Sequence, residues 1–148
     1  EKREGREEMR FFIKGTPKPQ PRPRAVSRGK FSTFYSPVSD WKKICRKELK
    51  VIAKEKTFDQ AIEVNLYFWF HRPNCHYRTG KYSELLRDDA PKWHTKKPDK
   101  DNLEKAVTDA MSDAGLISDD CIIVRGMTSK SYVRRDENSG CWIEINPV

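Results

Sequence analysis

The sequence predicts an α+β domain in which two main helices pack on a single mixed β-sheet. Residues 62–70 alternate between two sets of side chains with the two-residue period of a β-strand. Residues 103–114 carry apolar side chains at the three- and four-residue spacings of an amphipathic helix. Other strand and helix signals lie before, between and after these two segments, and no internal repeat is apparent. Elements in such a mixed order predict one sheet with helices packed on it.

The composition is that of one domain with a modest core. The chain has 148 residues, of which 36% are hydrophobic, and no apolar run approaches the length of about 18 residues that a membrane helix needs. No signal peptide is apparent either. Residues 1–8 are all charged or glycine, so we expect a tail outside the fold and a domain over residues 9–148.

The four cysteines lie far apart and form no C-x-x-C pair, which argues against a disulfide framework or a zinc ribbon. We therefore expect reduced thiols in a cytoplasmic protein. A zinc site at His71, Cys75 and His76 is an alternative, although it needs a fourth ligand from elsewhere.

The N-terminal segment begins with a predicted short strand around Phe11 and Ile13 that ends at Gly15. Prolines at positions 17, 19, 21 and 23 then predict an extended, polyproline-like arm. The basic residues on this arm are Lys18, Arg22 and Arg24. No P-x-x-P spacing occurs, which excludes an SH3 ligand. We expect the arm to hold its bases against phosphates, with a simple basic linker as the alternative.

A helix is predicted to begin near Ser36-Pro37 or at Ser39 and to bury one face. The apolar residues on that face are Trp41, Ile44, Cys45, Leu49, Ile52 and Ala53. The bases assigned to the opposite face are Lys42, Lys43, Arg46, Lys47 and Lys50. These bases contact either DNA or solvent, and the sequence favours neither.

The strand over residues 62–70 directs alternate apolar side chains, beginning with Ile62 and ending with Phe70, toward the core. Its second face carries Tyr67 and Trp69. We expect these two aromatic residues to pack beneath a helix or a partner subunit, because exposing both is unfavourable. Stacking on unpaired bases is the alternative.

The second half of the chain opens with residues 71–97, which show no sustained period and predict a long mobile loop. A helix follows, capped by Asp101 or Asn102 and ended by Gly115. Three further strands are predicted at residues 121–124, 127–133 and 141–145.

Charge is distributed unevenly along the chain. Residues 10–50 contain twelve bases and two acids, a balance of 12 − 2 = +10 in a chain of net charge +8. A positive field of this kind attracts nucleic acid, although a solvated basic surface without a partner is the simpler alternative. Residues 99–120 instead contain seven acids and two bases, a balance of 2 − 7 = −5.

Acidic side chains in a basic protein are typical of a site for a divalent cation beside phosphate. Asp99 and Asp101 precede the predicted helix, and Asp120 precedes the next strand, so the three carboxylates can converge on one ion. The simpler interpretation makes them a turn residue, an N-cap and a solvated turn. An EF-hand is excluded, because Glu104 stands where that loop needs glycine and Ala110 where it needs a bidentate glutamate.

The string Pro98-Asp-x-Asp-Asn-Leu-x-Lys105, followed by Asp109-Ala and Asp119-Asp120, resembles the signature of the RusA family of Holliday-junction resolvases. Residues 15–24 and Lys130 resemble the family more loosely. Cys121, in a position that is often polar in the family, and the length of the 71–97 loop depart from its pattern.

The resemblance implies a homodimeric, Mg²⁺-dependent endonuclease, with Mn²⁺ as a substitute, that cuts four-way DNA junctions by paired nicks. It implies that Asp99, Asp101 and Asp120 are the metal ligands and that Lys105 is the essential lysine. The residues expected to bind DNA are Lys18, Arg22, Arg24, Lys97 and Lys130. We also hypothesise that the 71–97 loop clamps DNA, and we expect neither a membrane nor a nucleotide cofactor. The alternatives are a non-catalytic DNA-binding or packaging protein and a metal-dependent nuclease for flaps or single strands.

Overall fold

The structure is a computed structural model that describes residues 8–21, 24–29, 31–35 and 39–148, with side-chain detail for all of these except 24–28 and 31–35. Most of the predicted tail, residues 1–8, lies outside the described residues, and Glu8 is exposed. None of the helices in these described ranges is long and apolar enough to cross a membrane.

A five-stranded mixed sheet forms the centre of the fold. Its strands are β1 (Met9–Lys14), β4 (Ile62–His71), β5 (Ile123–Arg125), β6 (Thr128–Val133) and β7 (Gly140–Pro147). β7 lies between β1 and β4 and is antiparallel to both. β5 and β6 follow one another along the other edge of β4 and run parallel to it. The predicted α+β class with one mixed sheet is therefore confirmed.

Two helices cover one face of this sheet, as the sequence predicts. α1 (Asp40–Ala53) is capped by Ser39, whose hydroxyl oxygen accepts from the Lys42 backbone N–H at 3.2 Å. α2 (Lys100–Asp113) is followed by Gly115, whose φ of 76° is the left-handed conformation expected at a helix end. The buried sides of both helices join the inward residues of β4 and β7 in one core.

Several predicted boundaries differ from the structure. The N-cap of α2 is Asp99, two residues before the predicted start. The strand predicted over 121–124 is shorter, because Asp120–Ile122 form a 3₁₀ turn and only Ile123–Arg125 pair with β4. The arm also ends earlier than predicted, since Arg24 begins a hairpin of β2 (Arg24–Arg28) and β3 (Phe31–Tyr35). The hairpin strands are five residues each, and their apolar and polar residues do not alternate regularly, so their pattern is faint in the sequence.

The 71–97 segment is more ordered than the sequence predicts. It contains two 3₁₀ turns, Asn74–His76 and Gly80–Tyr82, and backbone hydrogen bonds join its two limbs. Its last part pairs with the free edge of β6, where the His94 N–H donates to the Lys130 carbonyl at 3.1 Å. The residues that make these hydrogen bonds are not regularly spaced along the chain, so no alternation in the sequence reveals them.

The face of the sheet opposite α1 and α2 carries an aromatic cluster. Trp69 lies 5.6 Å from Phe12 and 6.2 Å from Trp142 between ring centroids. The expectation that Trp69 packs beneath a helix is therefore wrong for α1 and α2, which lie on the other face. Contact with a partner subunit and stacking on bases both stay predictions.

Candidate active site

Asp99 occupies the N-cap of α2, but its carboxylate does not act as a cap. The backbone of Asp99 is extended, with φ −71° and ψ 150°, and the side chain makes no capping hydrogen bond. Pro98 disfavours a helical conformation at the preceding residue, Lys97. The helix begins at Lys100, two residues after Pro98. Asp99 and Asp101 are both exposed. Their oxygens are therefore accessible from solvent, and the simpler interpretation of Asp101 as the helix cap is wrong.

Lys130 of β6 fixes the turn that precedes Asp99. Its Nζ donates to the backbone carbonyls of Lys96 and Pro98, each at 2.7 Å. Partial burial lowers the pKa of the Lys130 ammonium, and the negative charge of Asp99 opposes that shift. The half-buried ammonium of Lys130 thus ties the start of α2 to the sheet and lies beside the Asp99 carboxylate.

The polar side of α2 presents Asp101, Lys105 and Asp109 at four-residue intervals. Asp101 and Lys105 are exposed and Asp109 is half-buried. Glu104, on a neighbouring side of the helix, accepts from the Thr128 hydroxyl at 3.2 Å and so joins α2 to the start of β6. The predicted i, i+4 arrangement of Lys105 with its two acidic neighbours is therefore present on the surface.

Asp119 and Asp120 bring two neighbouring carboxyl groups to the 3₁₀ turn. Asp119 accepts from the Cys121 backbone N–H at 3.4 Å and thereby caps the turn. A hydrogen bond between the two carboxyls raises the pKa of Asp120 and lowers that of Asp119. Partial desolvation and the charges of Asp119 and Asp109 raise the pKa of Asp120 further. The turn therefore places Asp120 within electrostatic reach of Asp109.

A buried lysine connects the arm, α1 and α2. Lys42 is only 7% exposed, and its Nζ donates to the Gln20 side-chain carbonyl at 3.1 Å and lies 3.9 Å from an Asp109 oxygen. The Gln20 N–H donates to the Asn102 carbonyl at 3.1 Å. The assignment of Lys42 to a face in contact with DNA or solvent is therefore wrong. Its spacing of three from Cys45 was the available signal, because that spacing puts it on the buried stripe.

The arm and the start of α2 enclose a cleft of about 490 Å³. The residues that line it are Pro19, Gln20, Pro21, Lys97, Pro98, Asp99 and Asn102. The cleft therefore brings the Asp99 carboxylate next to an exposed lysine and the rigid prolines of the arm.

The predicted metal ligands do not form a ready-made cage. Nowhere in residues 8–21 and 39–148 does a group of three or more His, Cys, Asp or Glu side chains lie close enough to hold a metal ion. Asp109 lies eight positions after Asp101 along the helix, a rise of about 12 Å. Asp99 and Asp101 thus lie at the first turn of α2, whereas Asp120 lies within reach of Asp109 toward its last turns.

The residues predicted to bind DNA fall into three groups. Lys18 and Lys97 are exposed, and Lys97 lines the cleft. Lys130 is half-buried and engaged with backbone carbonyls. Arg22 lies outside the described residues, and only the backbone of Arg24 is described.

Two of the four cysteines belong to the core rather than to the candidate site. All four are free thiols, and Cys45 and Cys141 are buried. Burial raises the pKa of Cys45 to about 12 and that of Cys141 well above its ordinary value of 9.0. Both therefore stay protonated and serve as small core residues.

The exposed Asp99 and Asp101 lie beside the exposed Lys97 at the cleft. Carboxylates next to cations are the chemistry expected of an enzyme that acts on a polyanion. The chain belongs to the RusA endodeoxyribonuclease family, because the family model described as endodeoxyribonuclease RusA matches residues 14–146. Enzymes of this family are metal-dependent hydrolases of phosphodiester bonds that bind branched DNA and resolve Holliday junctions. The comparison with curated proteins gives no match.

Proposed function

We propose that this resolvase cuts four-way junctions as a homodimer, by paired symmetric nicks, with Mg²⁺ as the natural ion and Mn²⁺ as a substitute. The observation that carries the proposal is the pair of exposed carboxylates, Asp99 and Asp101, at the head of α2. Neither is used as a helix cap, and the family match includes both. Asp120 is the third proposed ligand, and it lies within reach of Asp109 rather than beside Asp99 and Asp101.

The donor set fits Mg²⁺ in its chemistry. Mg²⁺ prefers oxygen ligands and is usually held by one or two carboxylates, together with waters and substrate phosphate, rather than by a cage of protein groups. The exposed Asp99 and Asp101 meet that requirement without a third carboxylate in contact. When bound, such an ion supplies an activated water and neutralises charge that develops on the phosphate.

The remaining charged groups have distinct proposed tasks. Lys105 lies one helical turn beyond Asp101 on the same exposed side, where its ammonium can neutralise the phosphate or orient the attacking water. Lys18, Arg22, Arg24 and Lys97 are proposed to contact the DNA backbone around the cleft. Lys130 retains one N–H after its two bonds to carbonyls, because an ammonium has three donors. With two of its three donors engaged, Lys130 is proposed to position the turn before Asp99 rather than to anchor the phosphate backbone.

The proposed dimer follows from symmetry. Two symmetric cuts need two equivalent sites, and a two-fold pair of chains matches the approximate two-fold symmetry of a four-way junction.

The deciding experiment compares four synthetic DNAs, a four-way junction, a flap, a linear duplex and a single strand, with and without Mg²⁺. We expect cutting of the junction alone, at symmetric positions in two opposed strands, and only with the ion. Preferential cutting of the flap or the single strand would replace the proposal with a nuclease of that specificity. Mass measurement by light scattering tests the dimer independently.

The ligand assignment is tested by the separate substitutions Asp99→Asn, Asp101→Asn and Asp120→Asn. Each should abolish cutting and leave junction binding unchanged or tighter, because a negative charge near phosphate is removed. Asp136→Asn is the matched control, since Asp136 is an exposed aspartate in the turn before β7. Parental cutting by any of the three variants would remove that residue from the site.

A further inference from the structure

One row of residues crosses the sheet perpendicular to its strands. It lies on the face opposite α1 and α2, which we call the open face. Lys14 of β1 pairs with Gly140 of β7, Gly140 pairs with Trp69 of β4, and Trp69 pairs with Ser131 of β6. Ser131 in turn pairs with Trp93 across an antiparallel bridge. Residues that are paired across strands share one face of a sheet, so the members of this row lie side by side. Four strand spacings of about 4.8 Å give the row a length of about 19 Å.

The row ends in an exposed indole beside a small residue. Trp93 is 53% exposed, and the Nζ of Lys92 lies 4.8 Å from the centroid of its ring. Ser131 lies between Trp93 and Trp69 in the row. The backbones of the two tryptophans are therefore two strand spacings, or about 10 Å, apart. Trp69 is held from behind by Phe12 and Trp142. The residue between the two tryptophans is thus a serine, whose side chain is smaller than either of theirs.

Cations border the row at both of its ends. Lys14 and Lys92 are exposed at the two ends of the row, and neither appears in an ion pair among the described side chains. Two acids of the same face, Glu144 and Glu63, lie four and six residues away from the row along their strands. Glu144 accepts from the Asn65 amide at 3.1 Å, and Glu63 lies 3.6 Å from Arg125. The aromatic row is therefore bordered by cations, while the acids have partners of their own.

We propose that this row binds unpaired nucleotides of DNA, with a base stacked on Trp93 on the side of Trp69 and with phosphates held by Lys14 and Lys92. Stacking on aromatic side chains and phosphate contact with flanking cations are the two features of single-strand binding surfaces. The partner is a polyanion with flat rings, since the row offers both exposed cations and an exposed aromatic ring. The proposal goes beyond the cutting site and is independent of its metal.

The position of the row connects it with the candidate active site. Trp93 belongs to the edge segment that pairs with β6 through Lys92 and His94, and Lys130 of β6 holds the turn before Asp99. Within a paired segment alternate side chains point to opposite faces, so His94 stacks on Phe70 on the helix side, whereas Trp93 lies on the open face. An unpaired strand that crosses this edge therefore passes from one surface to the other.

The test is binding of a fluorescent (dT)15 single strand, followed by anisotropy without divalent metal. Trp93→Ala should weaken binding roughly 5- to 100-fold, the loss that removal of one stacking side chain produces. Trp93→Phe should retain most of the affinity, because it keeps a flat ring. Tyr82→Ala is the matched control, since Tyr82 is 52% exposed and also has the preceding lysine over its ring, but belongs to the Gly80–Tyr82 turn, eleven residues before Trp93 and outside the paired row.

Three results would overturn the proposal. They are parental (dT)15 affinity in Trp93→Ala, equal losses in Trp93→Ala and Tyr82→Ala, and equal losses in Trp93→Ala and Trp93→Phe. Light scattering gives a separate criterion: a fall from dimer to monomer in Trp93→Ala would assign the row to a contact between two copies of the chain. Because no cutting is measured, failure of the metal-ligand assignment would not change any of these outcomes.

Discussion

Replacement of Lys130 by methionine tests whether this lysine positions Asp99. The substitution keeps a long apolar side chain and removes the Nζ that donates to the carbonyls of Lys96 and Pro98. Those two bonds are the described contacts through which β6 holds the turn before the Asp99 N-cap. Without them, we expect the turn to relax away from the sheet and to carry the Asp99 carboxylate with it.

The structure sets the size of the expected effect. A hydrogen bond to a charged donor contributes about 1.5–3 kcal/mol. The bond to Lys96 is exposed, so water replaces it at little cost, whereas the bond to Pro98 is partly buried. We therefore expect the free energy of unfolding to fall by about 2 kcal/mol. A displacement of a reacting group by about 1 Å costs on the order of 100-fold in rate, which is the loss we expect in cutting.

The assay is single-turnover cutting of a four-way junction with enzyme in excess, combined with junction binding without metal at several salt concentrations. The matched control is Lys96→Met, because it removes a nearby exposed ammonium and leaves the Lys96 carbonyl in place. We expect Lys130→Met to cut about 100-fold more slowly and to bind within a few-fold of the parent. Urea unfolding of both variants measures the change in stability.

Two results would refute this reasoning. One is a cutting rate in Lys130→Met equal to that of Lys96→Met. The other is a loss of binding as large as the loss of cutting, together with a salt dependence that is weaker by about one phosphate contact. The second result would make Lys130 a phosphate ligand, which is the role that the sequence predicts.

Three further predictions concern neighbouring residues. Lys105→Ala should slow cutting more than it weakens junction binding, and equal losses would reduce Lys105 to a phosphate anchor. Lys42→Met should lower the free energy of unfolding by about 1–2 kcal/mol in urea, because Gln20 and Asp109 lose a buried cation; an unchanged midpoint would contradict this. Burial and the charge of Lys130 lower the pKa of His94 below 6.5, so its contribution to stability is complete above pH 6.5 and falls as the pH drops through the lowered pKa. Urea unfolding at pH 8 and pH 5.5 should therefore show a smaller acid loss in His94→Phe than in the parent, and equal losses would contradict the assignment.

The main elements could be predicted because their signals are local. α2 and β4 each bury one face, and burial of one face imposes a period that a single sequence displays. The β2–β3 hairpin was missed because its strands are short and its apolar residues do not alternate regularly with polar ones. The order within residues 71–97 was missed because it comes from isolated hydrogen bonds, which leave no period.

The candidate site likewise combines one feature that the sequence predicts with contacts that it does not predict. The spacing of Asp99, Asp101 and Lys105 is a property of one helix and its first turn, so the sequence alone placed them together. The bonds from Lys130 to the turn and from Lys42 to Gln20 join segments 22 to 34 residues apart. Such contacts depend on how helices and strands pack, which residue types alone do not specify.

By itself, the sequence determined the spacing of Asp99, Asp101 and Lys105, because the helical repeat fixes their separation along α2. Only the tertiary structure decided that Lys130 holds the turn before Asp99 and that Lys14, Trp69 and Trp93 form one row. The physical reason is strand register: a shift of one residue between β4 and β6 would send Trp69 and Ser131 to opposite faces, and no local pattern in the chain sets that register.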